Sequence, residues 1–306
     1  MSADAFSARL NDVAAQVETG LAAVLADAGQ PGEIARPKRL MAAMRYGALG
    51  GGKRLRPFLT IETARALGVE GEAPLRAGVA IECVHCYSLV HDDLPAMDDD
   101  DLRRGRPTTH KAFDEATAIL VGDGLLTLAF DLLADPATHK DAEIRVALCL
   151  GLARASGLGG MVGGQMLDIE AESAASPLDD SAIRRLQAMK TGALLRFAVE
   201  AGAIVAGASV TRRAALVRYG EALGSAFQVA DDILDAEATS EQLGKRAGKD
   251  AQRNKGTFVS IHGLDGAKRL RDAFVGQALA ALDEAGFQAQ GDILRQAARF
   301  VAARAK

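Results

Sequence analysis

"LNDVAAQVETGLAAVLADA", Leu10 to Ala28, carries apolar side chains at Leu10, Val13, Val17, Leu21 and Val24. Steps of three and four residues place these five on one stripe of an α-helix, and Asp12 and Glu18 fall outside it. The same period recurs along almost the whole chain. Further candidate helices cover 36–49, 54–67, 74–94, 113–134, 141–155, 160–171, 179–188, 190–207, 211–235, 266–286 and 291–304. Turn signals separate them at Gly29 to Gly32, Gly68 to Gly71, Asp135-Pro136, Ser176-Pro177 and Gly286. Alternating β-branched runs, short repeats and low-complexity linkers are absent from the sequence. The expectation is an all-α protein in which 1–306 form a single domain. The longest irregular stretch is 236–257, rich in lysine and arginine, and it suits a loop that folds over an anionic ligand.

Of the 306 residues, 49 % are hydrophobic and 25 % charged, the balance of a soluble globular chain with room for a large core. A net charge of −4 offers no basic field to nucleic acid. Three cysteines are too few for a disulfide framework and fit a reducing compartment. "CVHC" at 83–86 has metal-ligand spacing but no second pair, so Cys83 and Cys86 are read as small core-facing residues. The N-terminal residues include Asp4 and Asp12 and lack the apolar run of a secretory signal. The most apolar stretch, Gly192 to Val210, is interrupted by Arg196 and Glu200 and is expected as a buried helix. A cytoplasmic protein with no membrane or nucleic-acid partner is expected.

Three motifs carry chemistry. "AGVAIECVHCYSLVHDD" (77–93) is apolar nearly all round and delivers Asp92 and Asp93 from the interior at a helix C-terminus. The helix dipole is already negative there, so a cation would offset both terms. Asp98 lies about 240° from Asp92 on an ideal helix. The two meet only if Pro95, which cannot continue the hydrogen-bond ladder, reshapes the turn. Carboxylates without His or Cys suit Mg²⁺. "AFQVADDILDAE" then places Asp231 and Asp235 four apart on one helix face, where they repel unless a cation bridges them. "LGGGKRLRP" (49–57) joins a glycine turn to Lys53, Arg54 and Arg56 without the spacing of a P-loop. Glycine backbone and cations at a helix start favour phosphate. Arg103 and Arg104 add a basic pair beside the first acidic cluster. One anion would be held through metal, another directly by Lys and Arg.

"GGKRLRP", "DDLPAMDDDDLRRG", "GGQ", "KTG", "FQVADDILD" and "LGKRAGKD" through "KGT" follow one another as in the trans-isoprenyl diphosphate synthases, the polyprenyl synthetase family, which the chain resembles from about Met41 onward. The bacterial farnesyl diphosphate synthases are the nearest subfamily in pattern. The resemblance implies a helical bundle around a central active-site cavity, usually as a homodimer. It implies that residues at Lys53, Arg56, His85 and Arg104 hold isopentenyl diphosphate. Asp92, Asp98, Asp231 and Asp235 would bind several Mg²⁺ ions for an allylic diphosphate, which Arg103, Lys190, Lys245 and Lys255 contact directly. Thr191 and Gln228 would line the reacting centre, making Lys190, Thr191, Gln228 and Lys245 the catalytic set. Asp168, in "GGQMLDIE", is expected to orient a neighbour rather than bind metal.

Tyr87 and Ser88 precede Asp92 by about one helical turn. The family's short-chain members have an aromatic residue there, and its bulk would close the cavity at a C15 product. Geranylgeranyl diphosphate synthase is the rival with a deeper pocket. A terpene cyclase would not need "GGKRLRP" and Arg104. A non-catalytic partner subunit would be expected to lack aspartates that this chain keeps.

Overall fold

The computed structural model describes residues 3–174, 176, 178–242 and 257–303. The chain forms α1 (Ala3–Val24), α2 (Lys38–Ala48), α3 (Leu55–Ala66), α4 (Glu72–Asp92), α5 (Thr109–Ala112), α6 (Glu115–Ala134), α7 (Ala142–Ser156), α8 (Met161–Glu172), α9 (Asp180–Gln187), α10 (Ala193–Val205), α11 (Val210–Gln242), α12 (Phe258–Glu284) and α13 (Asp292–Ala302). A two-stranded hairpin, β1 (Leu102–Arg103) and β2 (Arg106–Pro107), follows α4. The residues divide into two compact units. The N-terminal unit comprises Ser7–Ile61 and Glu70–Cys149; the C-terminal unit comprises the described residues of 1–6, 62–69 and 150–306.

In the N-terminal unit the α1 stripe is buried as its period requires: Leu10, Val13, Val17 and Leu21 face the core. Leu25, just past the helix end, completes it in place of Val24, which is only half-buried. Helix α4 is enclosed on most sides and packs chiefly on α6 and α2. Cys83 and Cys86 are buried within it as free thiols, and burial pushes Cys86 up to about 12. Asp114 caps α6 by accepting the Thr117 N–H at 2.7 Å. By length and composition Glu115–Ala134 and Ala142–Glu172 are apolar enough to cross a membrane. In α6 that character has a local cause, because Ala118, Val121, Leu125, Ala129, Leu132 and Leu133 form core of this unit.

In the C-terminal unit α10 is buried along almost its whole length, as expected for 192–210. Glu200, within it, is neutralised by Arg196 and Arg213, each at 2.7 Å. The 33-residue α11 packs on α10 and α12. Two boundaries differ by more than three residues from those predicted. Helix α11 continues to Gln242 because "AEATSEQ" holds helix formers even though the apolar period has ended. Helix α12 begins at Phe258 rather than 266, started by a Thr257–Ser260 capping box, and Gly263 at φ 69 kinks it. Of the stretch 236–257 expected to be irregular, 236–242 are helical and Thr257 caps α12, while 243–256 lie outside the described residues.

Candidate active site

The turn that a pairing of Asp92 with Asp98 requires is present in the backbone. Helix α4 stops at Asp92, and the His91 carbonyl, deprived of a donor by Pro95, accepts the Leu94 N–H at 3.1 Å. The chain then turns back, so that the Asp98 N–H donates to the Asp92 carbonyl at 2.8 Å. Asp92 and Asp98 stay half-exposed, whereas Asp93 is 2 % exposed and receives Arg103 Nε at 2.7 Å. Burial raises the Asp93 carboxyl and Arg103 opposes that rise. Of the outer aspartates, Asp101 pairs with Lys111 at 2.9 Å.

The hairpin separates the arginine pair. Arg104 (φ 54) and Gly105 (φ 75) form a two-residue turn of the primed kind. Arg103 reaches back to Asp93, while Arg104 Nη1 donates to the carbonyl of Gly51. That glycine loop is built from left-handed backbone at Gly50, Gly51 and Gly52 (φ 129, 89 and 127), which side chains rarely tolerate. Lys53 is exposed on it and Arg56 half-buried at the start of α3. His85, half-buried on α4, lines one cavity with Gly50, Arg54, Arg103, Arg104 and Arg106. Burial first, then Arg56, Arg104, Arg54 and Arg103, hold its imidazole well below the usual histidine range, so it is neutral. Arg54, which the sequence presents as Lys53's equal, is turned inward onto Glu18 and Glu82.

In the C-terminal unit Asp231 and Asp235, one turn apart on α11, are both exposed. Asp232 between them has a separate task that the sequence did not announce. It accepts the Phe258 N–H at 2.8 Å at the start of α12, and burial pushes its carboxyl up to about 6, with Asp231 and Asp235 adding to the rise. A π-helical turn, Ala188–Gly192, carries Lys190 and Thr191 between α9 and α10. Lys190 Nζ donates to Asp168 Oδ2 at 2.5 Å, the orienting contact expected of Asp168. The "GGQ" motif gains a reason here: a Cβ on Gly164 would collide with the backbone of Lys190. Gln228 bonds to Gln187, and both line a cavity of about 500 Å³ with Met189, Arg196 and Phe258. Lys245 and Lys255 lie outside the described residues.

Tyr87 is 6 % exposed and sets its ring edge against His91, with centroids 5.8 Å apart. Burial, with the Asp92 charge beside it, pushes its hydroxyl up to about 12. Ser88 Oγ turns back to the His85 carbonyl at 2.9 Å.

Among the described residues no three His, Cys, Asp or Glu side chains stand close enough to hold a metal by themselves. Each aspartate pair instead offers one or two carboxylates, which is how Mg²⁺ is held when phosphate oxygens complete its shell. The all-oxygen donors of Asp92 with Asp98 and of Asp231 with Asp235 therefore fit Mg²⁺ brought together with a diphosphate.

The fold is an all-α scaffold carrying two aspartate pairs and an arginine–glycine pocket. Residues 37–293 match the family described as polyprenyl synthetase. The chain is 52 % identical over 233 residues to farnesyl diphosphate synthase of Escherichia coli (strain K12), covering 75 % of this chain and 77 % of that one. It is 42 % identical over 269 residues to farnesyl diphosphate synthase of Bacillus subtilis (strain 168), covering 88 % and 90 %. A crystal structure of an FPP/GFPP synthase from Zymomonas mobilis, in its apo form, superposes with a TM-score of 0.87 at 44 % identity over 99 % of this chain and 100 % of that one. The chain belongs to the polyprenyl synthetase family and is a prenyltransferase.

Proposed function

We propose that this enzyme joins isopentenyl diphosphate to dimethylallyl diphosphate, and then to the geranyl diphosphate formed, to give farnesyl diphosphate in the cytoplasm. The observation that carries this reading is the parting of Arg103 and Arg104. One arginine serves the aspartate loop and its neighbour the glycine loop, so two anions can be held by different means. A cyclase, with one diphosphate, has no use for the second arrangement.

Mg²⁺ bound by Asp92 with Asp98, and by Asp231 with Asp235, would neutralise the diphosphate as it leaves. Arg103 and Lys190, each already oriented by an aspartate, would contribute fixed cations. The allylic C–O bond breaks and its electron pair departs with the diphosphate. The isopentenyl double bond then attacks the allylic carbon, and a proton is lost to the diphosphate just released. Lys53, Arg56 and Arg104 hold the isopentenyl diphosphate by charge. His85, neutral, adds hydrogen bonding without further charge. Thr191 and Gln228 present oxygen dipoles to the developing cation.

Chromatography of products from dimethylallyl and isopentenyl diphosphates with Mg²⁺ is expected to show a C15 product and one diphosphate released per isopentenyl unit consumed. Diphosphate release from the allylic substrate alone would indicate a cyclase, and no release at all a partner subunit; either result overturns the proposal. The enzyme is further expected to be a homodimer. Helix α6 exposes Ile119 and Leu120, 46 % and 56 % accessible, and α7 exposes Val146 at 65 %. Sedimentation equilibrium should give twice the chain mass, and Leu120→Asp should halve it. A wild-type monomer would refute this assembly.

A further inference from the structure

We infer that Arg54 is a positioning residue for isopentenyl diphosphate, acting by fixing the glycine loop that carries Lys53. The inference rests on the function proposed above and adds to it a residue that touches no substrate. The loop cannot hold itself. Gly50, Gly51 and Gly52 lack side chains to pack and are free to adopt many backbone conformations, so their left-handed arrangement must be imposed from outside.

Arg54 imposes it from below. The residue is 4 % exposed and itself left-handed, at φ 46. Its guanidinium is spread over three helices. Nε donates to Glu18 on α1 at 2.9 Å, Nη1 to Glu82 on α4 at 2.7 Å, and Nη2 to the Ala48 carbonyl at the end of α2 at 2.7 Å. Burial works against the charge of Arg54, but Glu82 and Glu18 more than offset it, so the guanidinium holds its proton more tightly than usual. A group so committed is unavailable to a phosphate. Glu18 also accepts the Gly51 N–H, at 3.3 Å, while Arg104 takes the Gly51 carbonyl. The Gly51 residue is thus gripped at both its N–H and its carbonyl, and one grip is Arg104, assigned to the same substrate. Only a planar, multiply donating fork fits this place; lysine offers a single point charge.

The test is steady-state kinetics with each substrate varied in turn. Glu18→Ala removes the support of Gly51 yet leaves Arg54 balanced by Glu82. It is expected to raise KM for isopentenyl diphosphate about tenfold, as for one lost hydrogen bond to a charged group. KM for dimethylallyl diphosphate and kcat should stay within about twofold. Arg54→Lys should act in the same direction and more strongly, and Glu18→Gln, which keeps an oxygen for the Gly51 N–H, should restore most of the loss. A folded Glu18→Ala enzyme with unchanged isopentenyl KM, or with kcat and both KM values moved alike, overturns the inference. Wild-type enzyme that fails to condense the two substrates overturns the proposed function, and the inference with it.

Discussion

Asp92→Ala and Asp231→Ala should each lower kcat for condensation by about a thousandfold or more, because loss of a metal contact to the leaving diphosphate removes several kcal/mol of transition-state stabilisation. The structure makes this a clean comparison. Asp92 is half-exposed and Asp231 exposed, so neither truncation opens a core cavity. Asp92 keeps its backbone carbonyl, and with it the Asp98 N–H that closes the turn after α4. The folded fraction should therefore be preserved while activity collapses, and raising Mg²⁺ should recover part of the loss. Asp99→Ala is the internal control, since this exposed side chain directly follows Asp98 and belongs to neither pair. It should change kcat by less than about twofold, as surface substitutions generally do. Steady-state rates across a Mg²⁺ titration, beside thermal melts, decide the matter. An Asp92→Ala enzyme that keeps kcat within tenfold of wild type would remove this aspartate from the reacting site.

How much of this was visible beforehand depended on whether the cause was local. The α1 stripe needs only the 3.6-residue period, and Leu10, Val13, Val17 and Leu21 are buried where that period puts them. The pairing of Asp92 with Asp98 was visible as a condition, a distortion at Pro95, and the 2.8 Å backbone bond meets it. Asp232 stands between Asp231 and Asp235 in the sequence, yet its carboxylate accepts the Phe258 N–H from 26 positions away. The early start of α12 has a local cause, Thr257 and Ser260 in capping-box positions, and Gly263 breaks the helical backbone between that start and residue 266. Gly164 stood in a doublet whose partner, the π-helical turn at Lys190, has no periodicity of its own to read. Adjacent Lys53 and Arg54 are alike as letters; which one turns inward depends on Glu18 and Glu82, contributed by two other helices. Residues whose role is set by a distant partner were therefore the ones missed.

Tyr87→Ala should lengthen the product from C15 to C20 and beyond. On α4 the residue lies one turn before Asp92, on the helix along which the growing chain is expected to run. It is buried in the N-terminal unit, stacks edge-on against His91, and stays protonated with its hydroxyl near 12. A protonated phenol, with most of its surface already withdrawn from water, presents an uncharged face to a hydrocarbon tail. Its removal leaves room that a further isoprene unit can fill, and each such unit withdraws apolar area from water at about 25 cal/mol per Å². The competing account is that Tyr87 only packs α4. Under that account the variant loses about 3 kcal/mol or more of stability, as buried aromatic truncations do, and the product stays C15. The two accounts differ in what a bound tail would do. If the vacated space lies on the path of the tail, long products appear and the longer ligand recovers part of the lost stability by occupying it. If it lies off that path, urea midpoints fall equally with and without a C20 diphosphate. Product chromatography read beside ligand-dependent urea unfolding separates these outcomes, and an unchanged C15 product in a folded Tyr87→Ala enzyme would leave chain length to another residue.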